Sequence, residues 1–150
     1  MNIGNKFFGG DLWRVLRMPD GNDIYIVSFA RPAVWQEVDK NNRNVFRLDK
    51  NAKVIWQITR IDHPGRNWAA AHQQARERGD PGCIEPFIYP RLRLPDGTTN
   101  LDNGMPPDSM DYIPGCPVEL ANLGLGSQWY LLDVDTGIAV EITPTGFRPW

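Results

Sequence analysis

The sequence predicts an α+β, mainly β domain: twisted antiparallel sheets from two similar β units with one helix between them. Three observations carry that prediction. Period-two alternation recurs in short runs rich in β-branched and aromatic residues. The 14 glycines and 13 prolines interrupt the chain too often for long helices. Only one segment combines helical spacing with a start and a stop signal. At 150 residues the chain fits a single domain large enough to bury a core.

The elements follow in order. "NVFRLDKNAKVIWQI" (44–58) reads as a hairpin. Phe46 and Leu48 alternate with Val45 and Arg47, "DKNA" breaks the pattern, and Val54, Trp56 and Ile58 resume it. Phe46, Leu48, Trp56 and Ile58 are the expected core of this hairpin. "WYLLDVDTGIAVEI" (129–142) reads as a second hairpin around Asp-Thr-Gly. Pro-Asp-Gly turns occur in "RVLRMPDGND" and "PRLRLPDGTT". There Pro presets φ, Asp bonds back to the backbone and Gly accepts positive φ.

These pieces suggest two units, about 12–58 and about 87–142, joined by a helical linker at about 59–86. The turns are offset by 76 residues from Gly21 to Gly97, and the hairpins by 84 from Asp49 to Asp133. Either the unit is duplicated or a common turn has recurred. In the linker, Asn67 can cap a helix over 67–79 that Gly79 and Pro81 stop. Trp68, Ala71, His72 and Ala75 share the stripe expected to pack on a sheet. The longest aperiodic stretch, Asp96 to Ser127, reads as a functional loop in which "CPVEL" can hide a short strand.

The two hairpins resemble the outer strands of blades in quinoprotein-like β-propellers, on "NVFRLDKNAKVIWQI" and "YLLDVDTGIAVEI". Ala52 stands where such turns usually carry Gly. The resemblance implies blade-like sheets without a closed propeller. Blades take about 40–50 residues each, and closed rings usually need four or more. The quinone cofactor therefore does not carry over. The pair also resembles short bacterial proteins that combine an "NVF-lD-nG-viWqI" hairpin with a distant "YLLDVDTG"-like one. That group has no established function, and some proteins of this size and style are immunity partners of secreted toxins.

Catalytic and metal motifs are absent from the sequence. His63 and His72 lack a second ligand at finger-like spacing, and Cys83 and Cys116 form no Cys-x-x-Cys pair. "LLDVDTG" fails the EF-hand pattern, because Gly137 and Glu141 fall fifth and ninth from Asp133. Neither Ser109 nor Ser127 lies in a nucleophile elbow. No cofactor or metal is expected. With no secretion signal and no long apolar run, the expected location is cytoplasmic, with reduced thiols and no membrane contact.

Charge is divided unevenly. Residues 1–93 carry 15 Lys and Arg against 10 Asp and Glu, whereas 94–147 carry eight carboxylates and no Lys or Arg. The halves can interleave these charges, or the carboxylates can form an acidic face. The second possibility defines a candidate partner-binding set: Asp102, Met105, Asp108, Met110, Asp111, Tyr112 and Glu119. Carboxylates would steer a basic protein, apolar groups would fill its pockets, and Pro106 and Pro107 would limit the ordering cost. Direct nucleic-acid binding is disfavoured there because phosphate is repelled. Arg43, Arg47, Lys50 and Lys53 are read as guards of a strand edge.

The functional expectation is therefore a non-enzymatic protein-binding protein, in its concrete form a cytosolic immunity protein that neutralises a basic toxin. The alternatives are a small enzyme or ligand-binding barrel with a site around His63, His72 and the Asp-rich loop, and a structural module of a larger assembly.

Overall fold

The computed structural model describes residues 8–30, 38–62, 68–82, 85–101, 104–122 and 128–142. Ten strands and two helices occur among them. The strands are β1 (Asp11–Arg17), β2 (Ile24–Ser28), β3 (Val45–Leu48), β4 (Val54–Gln57), β5 (Thr59–Ile61), β6 (Phe87–Leu92), β7 (Ser109–Asp111), β8 (Val118–Asn122), β9 (Trp129–Leu132) and β10 (Ile138–Ile142). The helices are α1 (Val38–Asn42) and α2 (Trp68–Glu77).

The mainly β, α+β expectation holds, and so does the helix near 67–79. Sheet order departs from a simple antiparallel arrangement. One sheet runs β4-β3-β2-β1-β7 and the other β5-β10-β9-β8-β6. β1 to β4 form an antiparallel meander, as do β6, β8, β9 and β10. Each sheet then gains one parallel strand from elsewhere in the chain. β7 pairs with β1, and β5 pairs with β10. Both sheets are thus mixed, and the expected helical linker opens with a strand. The supposed long loop contains β7 and β8, so "CPVEL" does lead into a strand.

The sheets face each other across one core. Leu16, Ile24, Ile26, Val45, Trp56 and Ile58 come from the first half. Phe87, Leu92, Val118, Leu120, Tyr130 and Leu132 come from the second. Phe87 and Tyr130, both fully buried, meet edge to face at 5.0 Å. Fully burying one such apolar side chain contributes about 1.5–3 kcal/mol. Asn44, also fully buried, joins the layers. Its Nδ2 donates to Val27 O and Phe87 O at 2.8 Å, and its Oδ1 accepts from Phe87 N.

The opening hairpin does not bury its apolar residues on one side. Register pairs Phe46 with Gln57 and Arg47 with Trp56. Trp56 therefore enters the main core, while Phe46 and Leu48 join Val27 in a cluster on the other face. Arg47 and Arg43 are not edge guards. Buried Arg47 donates to Asn22 O and Val134 O and pairs with Asp20, and Arg43 Nε donates to Ile58 O. Lys50 and Lys53 remain exposed beside edge strand β4.

Trp56 explains what this hairpin does. Its ring lies against Gly137 in the β9–β10 turn, and its indole N–H donates to Val134 O at 2.9 Å. The first hairpin thereby holds the turn of the second. On α2, Ala75 is buried and His72 half-buried. His72 and Val38 of α1 both close on Gly82, so this part of the helix stripe meets a loop and the other helix.

Candidate binding surface

The expected acidic face comes first, because the structure assigns its carboxylates to partners within the chain. β7 lies beside β1, which carries two arginines. Arg14 meets Asp108 at 2.7 Å and Arg17 meets Asp111 at 2.8 Å. Glu119 is buried and held by Arg91 at 2.7 Å and Arg93 at 2.8 Å. Burial alone would raise its pKa, but the hydrogen bonds and charges of Arg93 and Arg91 hold it below the ordinary value. Asp135 lies 3.7 Å from Arg47. Asp96 and Asp133 bond to backbone amides in their own turns.

The charges therefore interleave. Asp108, Asp111, Glu119 and Asp135, from the Lys- and Arg-free part of the sequence, meet arginines of residues 1–93. Met110 is buried in the core and Tyr112 packs partly against it, so neither forms an open contact surface. Met105 is 88% exposed. Asp102 lies outside the described residues.

Of the alternative site around the histidines and the Asp-rich loop, the described residues show only a part. His63 lies outside the described residues. His72 is held below its ordinary pKa by burial and by the charge of Arg76, against the opposing charge of Glu85. Asp108 precedes β7 and Asp111 ends it, at the edge of the first sheet. Among the described residues, no three His, Cys, Asp or Glu side chains gather as metal ligands. Cys116 is a buried free thiol, and Cys83 lies outside the described residues.

A buried polar cluster does sit at the β5 end of the core. Arg60 lies over the rings of Phe87 and Tyr130, at 5.0 and 5.1 Å. It donates to Asn42 O, Glu85 O and the Tyr130 hydroxyl at 2.9 Å, and pairs with Asp62 at 3.3 Å. The Tyr130 hydroxyl donates to the Asp62 carboxylate. Burial pushes the Tyr130 phenol well above its ordinary range, and Asp62 adds to the shift against the opposing pull of Arg60. The phenol, carboxylate and guanidinium together tie β5 to β9 and to the chain around Glu85.

The outer face of the second sheet carries several exposed aliphatic side chains. Register sets Ile61 opposite Val140, and Val140 opposite Leu131. The intervening residues Arg60, Ala139, Tyr130 and Leu132 turn inward, so this row turns outward. Ile61, Val140 and Leu131 are 48, 43 and 42% exposed, and Ile138 on the same face is 40% exposed. Ile142 and Trp129, paired with one another, continue the face.

Beyond Trp129 the face becomes aromatic and charged. Arg91 lies 3.4 Å from the Trp129 ring, and Tyr89 meets that ring edge-on at 5.7 Å. Both arginine and ring are fixed, because Glu119 holds the guanidinium. Tyr89, Arg91 and Trp129 line an open cleft together with Thr99, Leu101, Gly104 and Pro106. Among its described residues, the supposed binding loop borders this face through Thr99, Leu101, Gly104 and Pro106.

A sequence signal for the face existed. "WYLL" and "IAV" are continuous apolar runs, whereas a sheet with one wet face alternates cleanly. No described helix is long and apolar enough to cross a membrane. Comparison with protein-family models, with curated proteins and with solved structures finds no match for the chain.

Proposed function

We propose that this is a non-enzymatic protein-binding module whose contact surface is the outer face of the second sheet. One observation carries the reading: Ile61, Val140 and Leu131 stand in register, each more than two-fifths exposed, on a rigid sheet. Aliphatic side chains aligned this way gain about 25 cal/mol for each Å² of apolar surface that a partner removes from water. Trp129, Tyr89 and Arg91 beside them are the residue types that dominate binding energies, and their mutual stacking reduces the ordering cost.

The narrower expectation, an immunity protein that captures a basic toxin through an acidic loop, loses its electrostatic support. Asp108, Asp111 and Glu119 already have arginine partners. A steering field needs unbalanced charge, and these three carboxylates each face a guanidinium of the same chain.

Two double variants test the reading with the whole chain as immobilised bait. Leu131→Glu with Val140→Lys is expected to weaken protein capture at least tenfold, own copies included. Asp108→Lys with Asp111→Lys is expected to leave it within twofold. The reverse pattern would restore the acidic loop and remove the sheet face.

A further inference from the structure

We propose that the cleft beside Trp129 binds a carboxylate group, with Arg91 taking the anion end-on. A small acid can enter this cleft with no protein on the sheet face, so the assignment does not depend on the protein-binding reading.

Glu119 is shared unequally between two arginines. Arg93 holds it at two points, Nη2 to Oε1 at 2.8 Å and Nε to Oε2 at 3.3 Å, and gives Nη1 to Gly97 O. Arg91 gives Nε alone, to Oε1 at 2.7 Å. A guanidinium carries five N–H groups. The remaining ones, on Nη1 and Nη2 of Arg91, have no hydrogen-bond partner among the described residues, and solvent reaches them. That edge of a guanidinium is the one that meets both oxygens of a carboxylate through two parallel bonds.

The cleft keeps this edge in place. Arg91 lies 3.4 Å from the Trp129 ring and is tethered by Glu119, so little side-chain freedom is lost when an anion arrives. The Trp129 N–H and Tyr89 O–H add two donors without a described partner. No described lining residue carries a carboxylate or amide side chain that would repel the ligand or compete for it. Leu101 and Pro106 offer apolar contact to its stem. At about 330 Å³, open mouth included, the cleft is at the low end for small-molecule sites and suits one side chain or one chain end.

Carboxylate fits this cleft better than phosphate. A doubly charged phosphate is ordinarily held by a helix N-terminus or a nest of backbone amides. Arg91 is the one cationic side chain among the described lining residues, which matches a single negative charge.

The test is proton–nitrogen correlation NMR of the full chain, with the Trp129 indole signal identified by its loss in Trp129→Phe. Three probes are titrated: N-acetylglutamate α-amide, with a side-chain carboxylate; N-acetylglutamine, with a terminal one; and the neutral N-acetylglutamine amide. At least one acid is expected to shift the indole signal saturably, and the tighter acid shows whether the site takes a side chain or a chain end. The neutral probe is expected to bind at least tenfold more weakly. Arg91→Gln leaves Glu119 its two-point pair with Arg93, so near-ultraviolet circular dichroism should stay that of wild type while acid binding weakens at least tenfold. Arg14→Gln, on the first sheet, is expected to leave acid binding within twofold. Absence of any saturable shift overturns the site. Equal binding of the neutral probe, or tighter binding of inorganic phosphate than of either acid, overturns the carboxylate assignment.

Discussion

Ala52 holds φ at +65° in the β3–β4 turn, with its amide bonded to Asp49 O at 3.0 Å. The left-handed region costs a residue with a Cβ about 1–2 kcal/mol, partly offset by the extra freedom that glycine loses on folding. Ala52→Gly is therefore expected to stabilise the fold by about 0.5–1 kcal/mol, measured as a raised urea midpoint. The reverse exchange at Gly137 is costly. Its φ is +78°, and a Cβ there would lie 2.5 Å from the Trp56 ring. Gly137→Ala should lose about 3 kcal/mol by the same measurement, through overpacking and strain together. Glu119 supplies a pH test. Its folded pKa lies below the ordinary value of 4.5, so its stabilisation is complete above about pH 4.5 and fades as pH falls through the depressed value. Denaturation between pH 3 and 7 should show a shallower acid slope in Glu119→Gln than in wild type.

Elements differ in how openly the sequence announces them. The β3–β4 and β9–β10 hairpins and α2 were legible, because alternation, turn residues and helix stops act within a few positions. β5 and β7 were not. Three residues are too few to display a period, and both are strands only because β10 and β1 offer them free edges. The same gap hid the fate of the acidic segment. Pairs such as Arg14–Asp108 and Arg17–Asp111 join residues 94 apart, beyond the reach of any local pattern. The outer sheet face was visible in "WYLL" and "IAV", but a run apolar on both sides does not say which side stays open. Ile58 is the hinge between elements: it follows β4, precedes β5 and is fully buried. Ile58→Ala should cost about 2–5 kcal/mol, a range typical of truncated core aliphatics. Intrinsic tryptophan fluorescence during urea unfolding reads that loss directly.

The whole molecule ties its two meanders into one unit. β7 completes the first sheet, β5 completes the second, and Asn44 and Trp56 bridge between them. Neither half keeps its edges covered without the other. Urea unfolding is therefore expected to give one transition, coincident by circular dichroism and tryptophan fluorescence. Residues 8–62 alone are expected to show no cooperative unfolding. Two separated transitions would mean that the sheets are stable independently.

The late arrival of β7 has a consequence during synthesis. β1 emerges first from the ribosome, but the strand that hydrogen-bonds to its outer side ends at Asp111. Until that residue clears the exit tunnel, the nascent first sheet carries an open flank with Val15 and Leu16 on it. Translation pauses before that point would prolong the interval in which newborn chains can stick to one another.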